Sequence, residues 1–275
     1  MMLPLVETEP QSVGFPTFYY FATALAVGIL MCLPLVPVAN LGRRFFILMS
    51  LIAVVFYAMA VAAGEHGFNY LFALSTGFVI IYNVFLPPKG HVASTALLLL
   101  ALASGLGGLV LDAVNDPYHL PFGVETAWPW ILLSFLSSAL LLGNAVVAMI
   151  LGHWYLVARG LSFDVLRRLT ILLIVAVVLR IVASGVAAFL QGDHWQALWY
   201  EAGGAAGFLS SLGMFVIFRF SFGVVLPLVL AIMVWRCVRI HSNQSATGIL
   251  YVLVAFVLMG ELVAKHLLIS SRLLL

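Results

Sequence analysis

Eight stretches of this sequence, each 17 to 32 residues long, contain almost no charged residue. A helix that crosses the hydrocarbon core of a bilayer needs about 20 consecutive apolar residues. The apolar residues here are continuous and do not alternate with polar ones, which argues against a transmembrane barrel. The sequence therefore predicts an all-α bundle of eight transmembrane helices, at residues 17–36, 45–63, 70–86, 92–111, 128–158, 169–190, 204–235 and 246–270.

The scarcity of charge excludes several classes of protein. Charged residues make up 8% of the 275 residues and hydrophobic residues 64%, whereas soluble domains are about 25% charged. Such a chain could not cover a globular surface with polar groups, so a soluble enzyme, a nucleic-acid-binding protein and a disordered regulator are excluded. We expect a single transmembrane domain over residues 1–275, surrounded by lipid, with no nucleic acid as a partner.

The loops between the predicted spans alternate in charge, and this alternation predicts the orientation. Eight of the twelve basic residues fall on one side: Arg43, Arg44, Lys89, Arg159, Arg167, Arg168, Arg236 and Arg239. Eight of the ten acids fall on the other: Glu7, Glu9, Glu65, Asp112, Asp116, Glu125, Asp193 and Glu201. The positive-inside rule makes the basic loops cytoplasmic. We therefore expect a multi-pass protein of the cell inner membrane with both termini outside.

Two outer loops, residues 112–127 and 191–203, are longer than the inner ones. The second contains Trp195, Trp199 and Tyr200, residue types that are enriched at the membrane interface. The loops are either solvated connectors or a docking surface for an external partner.

Four charged residues fall inside the predicted spans, where a charge at the centre costs at least about 2.5–3.5 kcal/mol. At 1.5 Å of rise per residue, Arg180 lies roughly 17 Å, Asn144 roughly 21 Å, Glu261 roughly 22 Å and Arg219 roughly 25 Å from the cytoplasmic end of its span. Lys265 follows Glu261 by four residues and can share its helix face. These depths predict that Glu261 contacts Arg180 or Arg219 and that the site borders a cavity in the outer half of the bundle.

Two interpretations of this cluster remain open. Arginine–glutamate pairs can simply fix the packing of helices. Alternatively, ionisable residues inside a membrane mark a ligand or ion pathway, and an excess of positive charge needs a ligand, water or another subunit to compensate it. We take Arg180, Arg219, Glu261, Asn144, Lys265 and His153 as candidate cofactor-binding residues and none as catalytic.

Haem b and metal ions are less favoured than a quinone as cofactors. Haem b requires axial histidines at matched depth on facing helices, and neither available pair is well centred in the membrane. These pairs are His91 with His153 and His66 with His266. The two cysteines, Cys32 and Cys237, form no CxxC motif, so we expect no metal held by this chain alone.

The layout resembles the NrfD-like and DMSO-reductase-type membrane anchors of respiratory complexes, which have eight spans and both termini outside. The local similarity lies in Leu151-Gly152-His153, Leu166-Arg167-Arg168 and Gly260-Glu261-Leu262-Val263-Ala264-Lys265-His266. Lys265 stands where that group has an arginine, and its early-helix histidine has no counterpart in the first span here. The resemblance implies quinone or quinol binding and an external iron–sulfur subunit.

We therefore expect a membrane subunit of a respiratory or photosynthetic electron-transfer complex that is not catalytic alone. It would anchor an extracytoplasmic iron–sulfur or cytochrome subunit beside other membrane subunits and would bind a quinone near the charged cluster. Two alternatives remain, a small-molecule or ion transporter that uses the same cluster and a purely structural membrane subunit.

Overall fold

The computed structural model describes residues 14–37, 41–63, 70–85, 92–115, 124–157, 163–210 and 212–275. Nearly all of these residues are helical, and none lies in a strand. The helices are α1 Gly14–Cys32, α2 Arg43–Ala63, α3 Tyr70–Phe85, α4 Val92–Asn115, α5 Val124–Val157, α6 Asp164–Leu190, α7 Gly192–Glu201, α8 Ala205–Ser210, α9 Leu212–Phe220, α10 Leu226–Arg239 and α11 Asn243–Ser271. The predicted all-α fold is confirmed.

Seven helical segments of the described chain are long and apolar enough to cross a membrane, and α9 to α10 count as one of them. Helix α3 has 16 residues, which gives a length of about 24 Å at 1.5 Å per residue. This is shorter than the hydrocarbon core of about 30 Å. A multi-pass membrane protein is therefore supported, and the eighth crossing depends on α3.

Helices α1 and α5 form the centre of the bundle. The most apolar windows of these two spans are 72% and 78% buried, whereas no other span exceeds 44%. Their backbones touch at Gly28 and Gly143, because a Cβ built on either glycine would overlap backbone atoms of the opposite helix. Small residues permit this close approach, and in lipid such packing contributes much of the attraction between helices.

Helix α10 packs on both α6 and α11 beside this centre, and α11 also contacts α5. Between α9 and α10 the helix widens into a π-helical turn at Ser221–Val225. Pro227 follows directly, and its ring would clash with the carbonyl group of the residue four positions earlier in a regular helix. That residue is Gly223, so the wider turn relieves the clash, and Gly223 packs closely on Gly260 of α11.

Residues 191–203, which the sequence predicts to be an outer loop, are largely helical. Most of it forms the ten-residue helix α7, in which Trp195 is half-buried and Trp199 and Tyr200 are exposed. Trp195 and Leu198 pack on buried leucines that follow α11. A search for apolar spans does not detect this helix, because it contains polar residues and is shorter than three turns. In the other loop that the sequence predicts to be an outer one, residues 116–123 lie outside the described part of the chain.

Large apolar side chains cover the outward faces of the helices. Val84, Phe189 and Ile217 are among those that are more than half exposed. Exposure of apolar side chains on this scale is unfavourable in water and favourable in lipid, which agrees with the bilayer as the expected surroundings.

Candidate functional site

Glu261 of α11 lies at the centre of a buried charged cluster. Its Oε1 accepts hydrogen bonds from Nε of Arg180, at 2.9 Å, and from Nη2 of Arg219, at 3.0 Å. Its Oε2 accepts from Nη2 of Arg180, at 3.1 Å, and from the hydroxyl group of Ser138, at 2.6 Å. The side chain of Glu261 is 0% exposed, so both oxygens obtain their hydrogen bonds from protein groups.

Arg180 of α6 uses all three of its guanidinium nitrogens. Besides the two bonds to Glu261, its Nη1 donates to the carbonyl oxygen and the hydroxyl group of Ser134 on α5. Its Nη2 also donates to the backbone carbonyl oxygen of Leu275, at 2.6 Å. Arg180 therefore joins α5, α6, α11 and the segment after α11, and its charge is well compensated.

Arg219 is paired far less completely. It ends α9, immediately before the π-helical turn, and it is 0% exposed. Only Nη2 has a partner, whereas Nε and Nη1 are buried without a hydrogen bond. Buried polar atoms in proteins are normally paired, so two orphan donors on one guanidinium group are unusual.

Lys265 brings a third positive charge to the same region. Its side chain is 2% exposed, and its Nζ lies 4.8 Å from the centre of the Phe135 ring on α5. That geometry is a cation–π contact. Among the described residues, Lys265 makes no ion pair and no hydrogen bond through Nζ, although Glu261 is one turn away on the same helix.

The cluster therefore contains three cations, Arg180, Arg219 and Lys265, and one carboxylate, Glu261. A buried charge without a partner costs several kcal/mol, even after the protein relaxes around it. Arg219 and Lys265 consequently retain hydrogen-bonding capacity and positive charge in the bundle interior. Chemically, such a site can bind an anion or a ligand with electron-rich oxygen atoms.

The predicted contact between Glu261 and the arginines is confirmed for both arginines. Two other candidate residues lie elsewhere. The amide of Asn144 donates to the carbonyl oxygen of Leu169 on α6, at 3.0 Å. Nδ1 of His153 lies 3.0 Å from the hydroxyl group of Tyr251, which precedes Glu261 by ten residues on α11. Neither Asn144 nor His153 forms a hydrogen bond with the charged cluster.

The sequence analysis missed the contribution of α5. Ser134 and Ser138 are spaced i,i+4, so they share the helix face that meets Arg180 and Glu261. The signal in the sequence is a run of three serines, Ser134, Ser137 and Ser138, inside an apolar span. The carbonyl group of Leu275 could not have been found in this way, because a backbone acceptor has no sequence signature.

No group of three or more metal-binding side chains occurs among the residues that the structure describes. Of the histidines in the two candidate haem pairs, His66 and His91 lie outside the described residues. His266 stands beside the ring of Phe215, with the ring centres 5.2 Å apart. Haem binding therefore stays an untested hypothesis.

Comparisons with known protein families, with curated proteins and with solved structures find no match for this chain.

Proposed function

We propose that this protein is an integral subunit of an electron-transfer complex in the cell inner membrane and that it binds a quinone or quinol at the Glu261 cluster. In this proposal the chain crosses the membrane eight times, with α3 as the shortest crossing and both termini outside. The seven long apolar segments and the segregation of basic and acidic loops support this arrangement.

The main support for a quinone site is the presence of buried cations whose donors are not all paired. Arg219 has two buried donors without acceptors. The buried ammonium group of Lys265 lies over the Phe135 ring and forms no ion pair with a described residue. A quinone offers carbonyl oxygens as acceptors, and its reduction places negative charge on them. Fixed positive charge in a site without water stabilises that developing charge strongly.

The electron-transfer partners in this proposal are an extracytoplasmic iron–sulfur or cytochrome subunit and further membrane subunits. Cysteines are the usual ligands of iron–sulfur clusters, and this chain has only Cys32 and Cys237. The redox centres would therefore lie mainly in the partners, and this chain would supply the position and the electrostatics of the quinone.

The test is binding of decylubiquinone to the tagged protein, purified with its native partners in a mild detergent. Lys265→Met keeps the length of the side chain and breaks no hydrogen bond, so the complex should assemble. A hydrogen bond to a charged group is worth about 1.5–3 kcal/mol, so decylubiquinone should bind at least about tenfold more weakly to this variant.

The matched control is Thr170→Val. Thr170 is a buried polar residue of α6 whose hydroxyl group bonds only to its own helix, at Leu166. This control should bind decylubiquinone as the unchanged protein does. Absence of quinone from the purified complex, together with equal decylubiquinone affinity in Lys265→Met, would contradict the proposal.

A transporter of small anions is the second candidate, and the excess of cations over carboxylates in the cluster favours it. It predicts that liposomes containing the purified chain take up chloride or acetate, and that Arg219→Gln abolishes the uptake. Anion uptake by the chain without partners would favour this function over the first.

A further inference from the structure

A cavity of about 170 Å³ lies between the first turn of α6 and the end of α10, at the opposite end of the bundle from α7. Its lining consists of Phe163, Asp164, Arg167, Val238, Arg239 and His241. A water molecule occupies about 30 Å³ in the liquid, so the cavity has room for about five groups of that size. This volume suits a phosphate group with part of its alcohol.

The charge of the lining favours an anion. Arg167 and Arg239 carry two positive charges against the single carboxylate of Asp164. Neither arginine forms an ion pair with a described residue. The first turn of α6 adds the positive end of a long helix dipole, and its N-cap residue Phe163 supplies no capping side chain.

Aromatic side chains surround the cavity. Such residues are enriched at the level of the lipid headgroups in membrane proteins. Arg167 lies over the ring of Trp235, 5.6 Å from its centre. Phe163 stacks on Tyr155, at 5.8 Å, and meets the ring of His241 edge-on, at 5.1 Å. These contacts fix the walls of the cavity and hold Arg167 at its edge.

The helix surfaces next to the cavity indicate that its occupant has acyl chains. Ile171 and Val175 follow Arg167 by one and two turns on the same face of α6, and both are exposed. Ile232 precedes Arg239 by two turns on α10 and is also exposed. An apolar path therefore runs from the cavity along both helices, which free phosphate would not need.

We propose that this cavity binds the phosphate headgroup of an anionic phospholipid, with Arg167 and Arg239 as its phosphate ligands. The site is independent of the Glu261 cluster, because it shares no residue with it and lies near the opposite end of α6. The acyl chains lie along the exposed apolar faces of α6 and α10.

The test compares phosphatidylglycerol, phosphatidylcholine with the same acyl chains, and inorganic phosphate, as ligands of the purified complex in native mass spectrometry. An arginine that donates a hydrogen bond to a phosphate oxygen strengthens binding at least about tenfold. The double variant Arg167→Gln, Arg239→Gln should therefore bind phosphatidylglycerol at least about 100-fold more weakly.

The control is the double variant Arg168→Gln, Arg236→Gln. It removes the same charge at the same level of the bundle, from residues that do not line the cavity, and it should retain most of the binding. The single variant Arg239→Gln guards against misfolding, because the side chain of Arg239 is exposed. It should weaken binding at least about tenfold.

Three results would overturn the proposal. The first is equal loss of phosphatidylglycerol in the two double variants, which would indicate general surface attraction. The second is phosphatidylcholine binding as tightly as phosphatidylglycerol. The third is binding of inorganic phosphate that phosphatidylglycerol does not displace.

Discussion

Arg180 and Arg219 bind the same carboxylate but are paired very differently. All three guanidinium nitrogens of Arg180 have acceptors, which include both oxygens of Glu261. Arg219 has a single hydrogen bond and two orphan donors. A buried charge stabilises a fold only when its hydrogen bonds are satisfied. The two arginines are equally buried, but they therefore contribute unequally to the stability of the protein.

We therefore predict that Arg180→Gln destabilises the protein more than Arg219→Gln does. Loss of Arg180 should cost about 3–5 kcal/mol, because it leaves Glu261 and Ser134 poorly paired. Loss of Arg219 removes two unsatisfied donors and one surplus charge, so its cost should be smaller by at least about 1–2 kcal/mol. Thermal unfolding of the two purified variants in the same detergent measures the difference. Equal transition temperatures would show that Arg219 is compensated by something else.

Glu261→Gln keeps the shape of the side chain but leaves three buried cations without any negative charge. We expect a loss of about 3–5 kcal/mol and reduced assembly with partners. If charge imbalance is the cause, the double variant Glu261→Gln, Arg219→Gln should be more stable than the sum of the single effects predicts. Additive effects in this double-mutant cycle would contradict the charge argument.

At the scale of residues, part of the site could be predicted from the sequence, because a buried charge is costly unless it has a partner. Depth along a helix was enough to pair Glu261 with Arg180 and Arg219. Depth does not fix the direction around the helix axis, however, and this explains why Asn144 was grouped with residues that it does not contact. It also explains why Lys265 meets the Phe135 ring although its spacing suits a pair with Glu261.

At the scale of the helices, the crossing of Gly223 and Gly260 sets the position of Arg219. A Cβ on Gly260 would overlap Gly223, and a Cβ on Gly223 would overlap the guanidinium group of Arg219. The π-helical turn presents Gly223 to α11 at the point where Arg219 reaches Glu261. Such turns are rare and occur frequently at functional sites.

Gly260→Ala should consequently be destabilising by about 1–3 kcal/mol, since the added methyl group overpacks the crossing. Gly248→Ala on the same helix is the control, because a Cβ there meets nothing within 4 Å. Alanine has the better helix propensity, so the control should be neutral or more stable by up to about 1 kcal/mol. Unfolding of both variants in one detergent makes the comparison. A stable Gly260→Ala protein would mean that the π-helical turn and α11 do not pack at this crossing.

The long apolar helices could be predicted from the sequence, whereas a short polar helix and a π-helical turn could not. Long apolar runs predicted the described spans to within a few residues at most ends, because bilayer thickness dictates their length. Helix α7 was expected as a loop because its composition is polar and its stability comes from packing on the leucines after α11. The π-helical turn also lies within one uniform apolar run, where hydrophobicity does not distinguish it.

At the scale of the whole molecule, contacts between distant segments group the predicted loops at two ends. Ring contacts join Phe45 to Trp154, at 5.8 Å, and Phe163 to His241, at 5.1 Å, at the end that carries most of the described basic residues. At the other end, Tyr19 donates a hydrogen bond to Asp112, and His194 lies 2.9 Å from the carbonyl oxygen of Ser271. Among the residues that the structure describes, the basic and the acidic loop residues therefore lie at opposite ends of the bundle.

This segregation predicts which end of the bundle faces the cytoplasm. Cells should be tested with single cysteines at Asp193, which begins α7, and at Arg168, in the first turns of α6; both side chains are exposed. Cys32 and Cys237 are first replaced by alanine so that only the introduced thiol reacts. A membrane-impermeant maleimide should label Asp193→Cys in sealed cells and label Arg168→Cys only after lysis, because basic loops stay on the cytoplasmic side. The reverse pattern would show that the protein has the opposite orientation in the membrane. Labelling of both positions in sealed cells would mean that α6 does not cross the membrane.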